Sequence, residues 1–392
     1  MLCTGVGRAQ KGAVENGDRK LGAQNTEAVY SAKSAPGAPT PEGRASLQEV
    51  FTFDPRVDLR WNRFVDRRED ASVFHTAGWL EALRRTYGYE PVVYTTSPPG
   101  AELSDGLIFC RIDTWLSGKR LVSLPFSDHS ALLVDDEEVL HQMLLSVREQ
   151  VTANRWRYVE LRPVRQRVLD GSDFRKAATY YWHKLSLDRD LDQIYKGFHK
   201  SCVQRKIRRA EREGLTYSEG RSAAEIEQFY RLLLLTHRRH GIPPQPLSWF
   251  RNLVDSFGPN LKIRLASKNG RALASIVTLT YKQSMVYKYG CSDAAHHNLG
   301  GMIFLLWKAI QEAKGSKLRE LDLGRSDCDN PGLISFKENL GAERGMLTYC
   351  GYPERARPDP SRWDMKAARK ICTRLPAPAL TTMGRLLYRH MG

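Results

Sequence analysis

Hydrophobic and polar positions along the chain set out two series of elements in nearly the same order. Thr76 can cap a helix with Trp79, Leu80, Leu83 and Tyr87 on one stripe and Gly88 at its end. Strand-period runs follow at 91–95, 107–112 and 120–124. A helix opened by Asp135 and Glu138 then faces Val139, Leu140, Met143, Leu144, Val147 and Val151 inward, before a strand at 158–162. The second series starts at the capping box Ser222-x-x-Glu225, ahead of Ile226, Phe229, Tyr230, Leu233 and Leu234. A short helix near 249–257 leads to strands at 262–266 and 272–280 joined by Asn269-Gly270, a hairpin signal. A strand at 285–289, a helix at 300–314 and a strand at 318–323 complete it. The halves also rhyme in sequence: Leu124-Pro-Phe-Ser-Asp128 and Glu160-Leu-Arg162 match Tyr289-Gly-Cys-Ser-Asp293 and Glu320 to Arg325. A tandem α/β duplication with mixed central sheets accounts for both the order and the rhyme.

Between the halves, Leu191, Ile194, Tyr195 and Phe198 form one stripe. Ser201 is expected to cap a second helix bearing Val203, Ile207 and Ala210 and ended by Gly214. Residues 1–49 are rich in Gly, Ala, Ser and Pro and lack apolar periodicity. The chain is therefore expected to comprise a disordered extension (1–49), a first α/β domain (50–190), basic interdomain helices (191–214), a second α/β domain (215–352) and a basic C-terminal tail (353–392).

Charge sharpens this division. The 392 residues carry a formal net charge of +16. Residues 195–214 hold seven Lys/Arg against two Glu, and 351–392 hold nine against three acids. Such concentrated positive charge points to a polyanionic partner: phosphates, nucleic acid or an anionic membrane surface. The run Met302-Ile-Phe-Leu-Leu-Trp307 is too short to span a bilayer, and no signal-peptide design opens the chain. Seven scattered Cys without a Cys-x-x-Cys pair suggest a reduced, cytoplasmic protein without a structural zinc site. The adjacent His296 and His297 lack a third ligand, so no metal is expected.

Candidate chemistry concentrates between Tyr287 and Ala342. Strand alternation places Tyr287 and Tyr289 on one face. Arg325, Ser326, Asp327, Asp329 and Asn330 crowd past the end of the closing strand, where α/β sheets favour ligand sites. Phe336-Lys337 falls on a short helix folding back over that end. The motif Asp322-Leu-Gly-Arg-Ser, Phe336-Lys337 and Gly341-Ala342 resembles the Fem-type peptidoglycan aminoacyltransferases, within the wider GNAT (acyl-CoA N-acyltransferase) fold. Phe74 to Leu80, Arg205 to Gly214 and Thr236-His-Arg-Arg239 extend the resemblance, which spans roughly Val50 to Gly351.

The resemblance implies two tandem GNAT-like domains and transfer of an amino acid from aminoacyl-tRNA onto an amine of a nucleotide- or lipid-linked muropeptide. It implies Lys337 at the reaction centre with Phe336 shaping it, and Tyr287, Tyr289 and Arg239 on the acceptor. The family's Tyr four positions after that Arg is replaced by Pro243. Asp327 is a candidate to take the proton of the attacking amine, or a brace paired with Arg325. Arg205, Lys206, Arg208, Arg209 and Arg212 are the candidates for tRNA phosphates. No resident cofactor is expected, the charged tRNA being a co-substrate. Acyl-CoA is the alternative donor, for a cell-surface polysaccharide or its sugar precursor, although His297-Asn-Leu-Gly300-Gly301-Met302 keeps only the central Gly of the usual pyrophosphate turn. A non-catalytic anion-binding module at the membrane surface is the third reading. A cytoplasmic location, with peripheral contact at the inner membrane face, suits all three.

Overall fold

The strand-period runs of both halves pair edge to edge in one mixed sheet. A computed structural model describes residues 49–165, 169–354 and 370–392. Residues 1–48 of the expected extension and 355–369 of the expected tail lie outside the described residues. The strands are β1 (Phe51–Phe53), β2 (Glu90–Thr95), β3 (Leu107–Thr114), β4 (Gly118–Val122), β5 (Val159–Leu161), β6 (Arg175–Ser186), β7 (Thr216–Gly220), β8 (Leu261–Lys268), β9 (Arg271–Tyr281), β10 (Ser284–Ser292), β11 (Glu320–Asp327) and β12 (Glu343–Tyr352). The principal helices are α1 (Leu59–Arg67), α2 (Ala77–Tyr87), α3 (Glu137–Ala153), α4 (Leu191–Gly197), α5 (Arg205–Arg212), α6 (Ala223–His240), α7 (Leu247–Phe257), α8 (Gly301–Gly315), α9 (Pro331–Glu338) and α10 (Ala377–Leu387).

Local chemistry explains the ends of these elements. Ser222 and Glu225 form the reciprocal capping box of α6. Asp136, one residue past the expected start, caps α3 by accepting from the amides of Glu138 and Val139. Asn269 and Gly270 both adopt positive φ (52° and 75°), as a two-residue hairpin turn between β8 and β9 requires. The interdomain break falls earlier than Ser201. The His199 side chain accepts from the Cys202 amide and starts a wide turn over Lys200–Gln204, which runs on into α5.

The sheet order is β1-β2-β3-β4-β5-β12-β6-β11-β10-β9-β8-β7. Each half contributes four antiparallel strands followed by a parallel pair, β4 with β5 and β10 with β11. α3 and α8 make the crossovers that parallel pairs need. The final strands are exchanged: β6, which follows β5 in sequence, pairs with β11, whereas β12, which follows β11, pairs with β5. β6 and β12 also pair with each other from Arg175/Gly351 to Lys184/Glu343, so the sheet runs unbroken between the halves. Neither β6 nor β12 was apparent from periodicity; both lie where two sheets' last strands meet and carry mixed polar and aromatic residues.

One face of the sheet bears a core shared by both halves, in which α1 and α2 of the first meet α6 and α7 of the second. The opposite face has two separate cores, one under α3 and one under α8. Residues 370–392 are folded rather than a free tail: Leu380 and Gly384 of α10 are buried, and Tyr388 reaches Phe126 with 5.9 Å between ring centroids. Among the described residues, no helix is long and apolar enough to cross a membrane.

The shared core rests on an edge-to-face contact of Trp79 in α2 with Trp249 in α7, 5.3 Å between centroids, with both side chains fully buried. Trp79→Ala is expected to cost about 3–5 kcal/mol and to keep a single unfolding transition, measured by denaturant titration, because one core serves both halves.

Candidate active site

β10 and β11 stay in register only from Ser284/Glu320 to Val286/Asp322 and then part. Charged side chains from four segments meet at this splay. Lys288 of β10 lies 3.0 Å from Asp128 Oδ2, on the loop after β4, and Arg325 Nε of β11 lies 3.8 Å from Asp128 Oδ1. Gly324 is required beside them: its φ is +71°, and an added Cβ would stand 3.1 Å from the Asp128 carboxylate. Burial by itself would raise the Asp128 carboxyl, but Lys288 and Arg325 outweigh it and hold it below its ordinary 3.8. The Arg325 guanidinium lies over the rings of Tyr180 (4.2 Å) and Tyr349 (5.3 Å). The Tyr349 hydroxyl donates to the Asp128 carbonyl at 2.6 Å.

Lys337, on α9, is 2% exposed. Its Nζ donates to the carbonyl oxygens of Gly324 and Arg325, each at 2.8 Å, which leaves one N–H for another acceptor. Desolvation lowers its pKa to about 8, against the opposing pull of Asp128 and Asp322, with Lys288 and Arg325 adding to the fall. Asp322 accepts from Trp182 Nε1 (2.8 Å) and the Gly324 amide (2.7 Å), and its other oxygen is 3.1 Å from His129 Nε2. His129, Trp182 and Asp322 also line a cleft of about 1660 Å³.

A second cavity, of about 230 Å³, lies on the α8 face, and Phe336, Lys206, His297, Gly300 and Met302 line it. Gly300 has φ +78° and lies against α5, where an added Cβ would come 2.7 Å from the Lys206 carbonyl oxygen. Arg239, exposed on α6, reaches His297 Nε2 at 3.5 Å, and Ser292 Oγ meets the same nitrogen at 2.8 Å. Arg205, Lys206, Arg208 and Arg212 are exposed along α5. Arg208 Nε donates to the Tyr195 hydroxyl at 3.3 Å, while Arg209 is half-buried, 3.8 Å from Glu213.

Three expectations change. Tyr287 and Tyr289 lie on opposite faces, because the ladder with β9 shifts between them and makes Lys288 a bulge. Tyr287 lies over Gly290 beside Met302 on the α8 side, whereas Tyr289 joins the shared core and accepts from Trp249 Nε1 at 2.7 Å. Arg325 and Asp327 are not a buried pair: Arg325 is drawn inward to Asp128, and Asp327 is exposed at the strand end. Arg239 meets His297, which lines the smaller cavity with Lys206 of α5, whereas Tyr289 packs in the shared core. Sequence reasoning gave no role to Asp128, Lys288, Asp322 or His129. Two signals were present: a lysine interrupting an aromatic strand, and the rhyme of Asp128 with Asp293.

Asp128→Asn leaves Lys288 buried without its acid and is expected to lower stability at pH 7 by about 3 kcal/mol. A carboxyl with a depressed folded pKa contributes stability above its unfolded value and loses it as pH falls through the folded one. The gap between wild type and variant, read from thermal melts, should therefore close below pH 3.8.

Comparison with known proteins agrees with this architecture. Residues 198–337 match the family described as acetyltransferase (GNAT) domain. The UDP-N-acetylmuramoylpentapeptide-lysine N(6)-alanyltransferase of Weissella viridescens is 26% identical over 247 residues, covering 60% of this chain and 69% of that protein. The crystal structure of FemX superposes with a TM-score of 0.59 at 13% identity, over 76% of this chain and 96% of that one. The C-terminal domain (DUF2156) of a putative lysylphosphatidylglycerol synthetase from Agrobacterium fabrum gives 0.51 at 13%, over 84% and 95%. These structural likenesses show a shared fold. The chain thus shares the fold of FemX, and its second half carries a match to the acetyltransferase (GNAT) domain family.

Proposed function

We propose that this protein moves an aminoacyl group from aminoacyl-tRNA onto an amine of a nucleotide- or lipid-linked cell-wall precursor peptide, in the cytoplasm and in peripheral contact with the inner membrane face. The observation that carries the reading is Lys337, a buried cation beside the strand splay with one N–H uncommitted among the described residues. In the reaction the acceptor nitrogen attacks the ester carbonyl. A C–N bond forms, the C–O bond to the tRNA ribose breaks, and the amine's proton ends on the departing ribose oxygen. Negative charge grows on the attacked carbonyl oxygen, and a preorganised cation there is worth most in a water-poor setting.

Phe336 borders the cavity at the start of α8 and connects it to Lys337, so the donor's 3′ end is assigned to that cavity. Arg205, Lys206, Arg208, Arg209 and Arg212 would follow its phosphates. Arg239 suits a phosphate of either substrate, and Tyr287 borders the donor side. Tyr289 would help hold the acceptor by shaping the core behind it. Arg325 fixes the strand end next to Lys337, and Asp327 is the proposed carrier of the amine proton.

The alternative donor, acyl-CoA, is favoured by the Gly300-Gly301 turn at the N-terminus of α8 and by the GNAT domain match. Purified protein assayed with charged tRNA, acetyl-CoA and longer acyl-CoAs separates the two: saturable acetyl-CoA turnover without tRNA would sink the first reading. Lys337→Ala is expected to lower the transfer rate by about 10²- to 10³-fold with little change in donor affinity. Absence of transfer from every donor, with ligand affinity and biological activity nearly intact in Lys337→Ala, would favour a non-catalytic anion-binding module instead. Since the cationic form does the work, the single-turnover rate should fall as pH rises through about 8, the Lys337→Ala variant lacking that limb.

A further inference from the structure

Among the described residues Trp115 is the most exposed large hydrophobic side chain, at 88%, and its neighbour Leu116 is 52% exposed. They form the tip of the hairpin between Thr114 of β3 and Gly118 of β4. One exposed apolar residue needs no explanation, but this pair is backed by a second element. The Trp115 ring meets that of His390 edge-on, 5.4 Å between centroids. Buried Arg120 of β4 donates to the carbonyl oxygens of His390 (2.8 Å) and Gly392 (2.8 and 3.0 Å), clamping the segment after α10 to the hairpin. Leu386, near the end of α10, and Met391, on the segment after it, are exposed, at 61% and 59%.

Cations neighbour these side chains along the chain: Lys119 follows the tip, Arg385 precedes Leu386 and Arg389 precedes His390. Lys119, Arg157, Arg385 and Arg389 are all exposed, and Arg157 is tied to the tip through the Ser117 carbonyl at 3.1 Å. Residues 370–392 contain four Lys/Arg and no acid. The nearby carboxylate on the hairpin, Asp113, lies 3.7 Å from Lys119.

We propose that the Trp115–Leu116 tip, together with Leu386, Met391 and the four flanking cations, docks the protein on an anionic phospholipid surface. The proposal gives a place to the peripheral contact suggested above and does not depend on which donor is used. A tryptophan at a projecting tip matches the headgroup level, where its ring is half apolar and its N–H wet. Lys and Arg just behind it gain from an anionic leaflet, and shallow insertion plus basic residues supplies the two signals that stable attachment takes. The cores of protein interfaces are depleted of charge, and phosphates make no use of exposed aliphatic surface, so lipid fits this patch better than a protein or RNA.

The test uses the full chain with sonicated vesicles of phosphatidylcholine alone or with roughly one-third phosphatidylserine. Sedimentation should show binding to the anionic vesicles that weakens with added salt, and tryptophan emission should be quenched by brominated acyl chains. Trp115→Ala with Leu116→Ser should weaken vesicle binding by about 10-fold, and Arg385→Glu with Arg389→Glu by a similar factor at low salt. Both variants should keep the wild-type melting temperature and the wild-type transfer rate on soluble substrates, so failure of docking and failure of the transferase reading give different results. Wild type that ignores anionic vesicles, or a Trp115/Leu116 variant that binds them equally, overturns the proposal. So does a variant whose sole defect is loss of tRNA binding or of self-association in sedimentation equilibrium, which would assign the patch to RNA or to a second copy.

Discussion

Burial of the Asp128 carboxylate between cations of the other half is the interaction on which the site depends. Lys288, Arg325 and Lys337 are three positive groups brought near one strand splay, and such proximity is costly without counter-charge. Asp128 and Asp322 provide it, one from the loop after β4 and one from β11 itself. Asp128 touches Lys288 and lies within reach of Arg325, and its main-chain carbonyl accepts from Tyr349 on β12. The candidate catalytic lysine therefore belongs to the second half by sequence but depends electrostatically on the first.

Strand exchange makes this dependence geometric. Because β6 leaves the first half to pair with β11, it brings Trp182 to Asp322 and Tyr180 to Arg325. Because β12 returns to β5, it carries Tyr349 beneath Arg162 and Arg325. Parallel strands diverge wherever nothing pairs across them, and the second half uses its divergence for Lys337. In the first half the corresponding gap is closed by Arg162, which donates to the carbonyl oxygens of Leu124 and Ser127. The first half thus holds a brace where the second holds Lys337.

Much of this was legible in the residues. The capping box of α6, the Asn269-Gly270 hairpin and the stripes of α2, α3, α6 and α8 are short-range signals, each carried by side chains a few positions apart. The Phe336-Lys337 pair was found on a short helix beside the end of the closing strand because both motif and helix are local. The bulge at Lys288 escaped notice because strand alternation assumes an unbroken ladder, and an extra residue reverses every side chain beyond it. Asp327 looked like the partner of Arg325 because it is two residues away; Asp128 is far away in sequence and only the fold brings it near.

The sequence by itself determined the elements, their duplicated order, the concentration of charge and the lysine motif, since periodicity, capping and composition act over a few residues. The exchange of β6 and β12, the opposed faces of Tyr287 and Tyr289, the acids that neutralise the splay and the docking of residues 370–392 against the Trp115 hairpin were decided by tertiary structure. Each of these joins groups distant along the chain, and the burial and dielectric that set their energies do not exist until the two halves share a sheet.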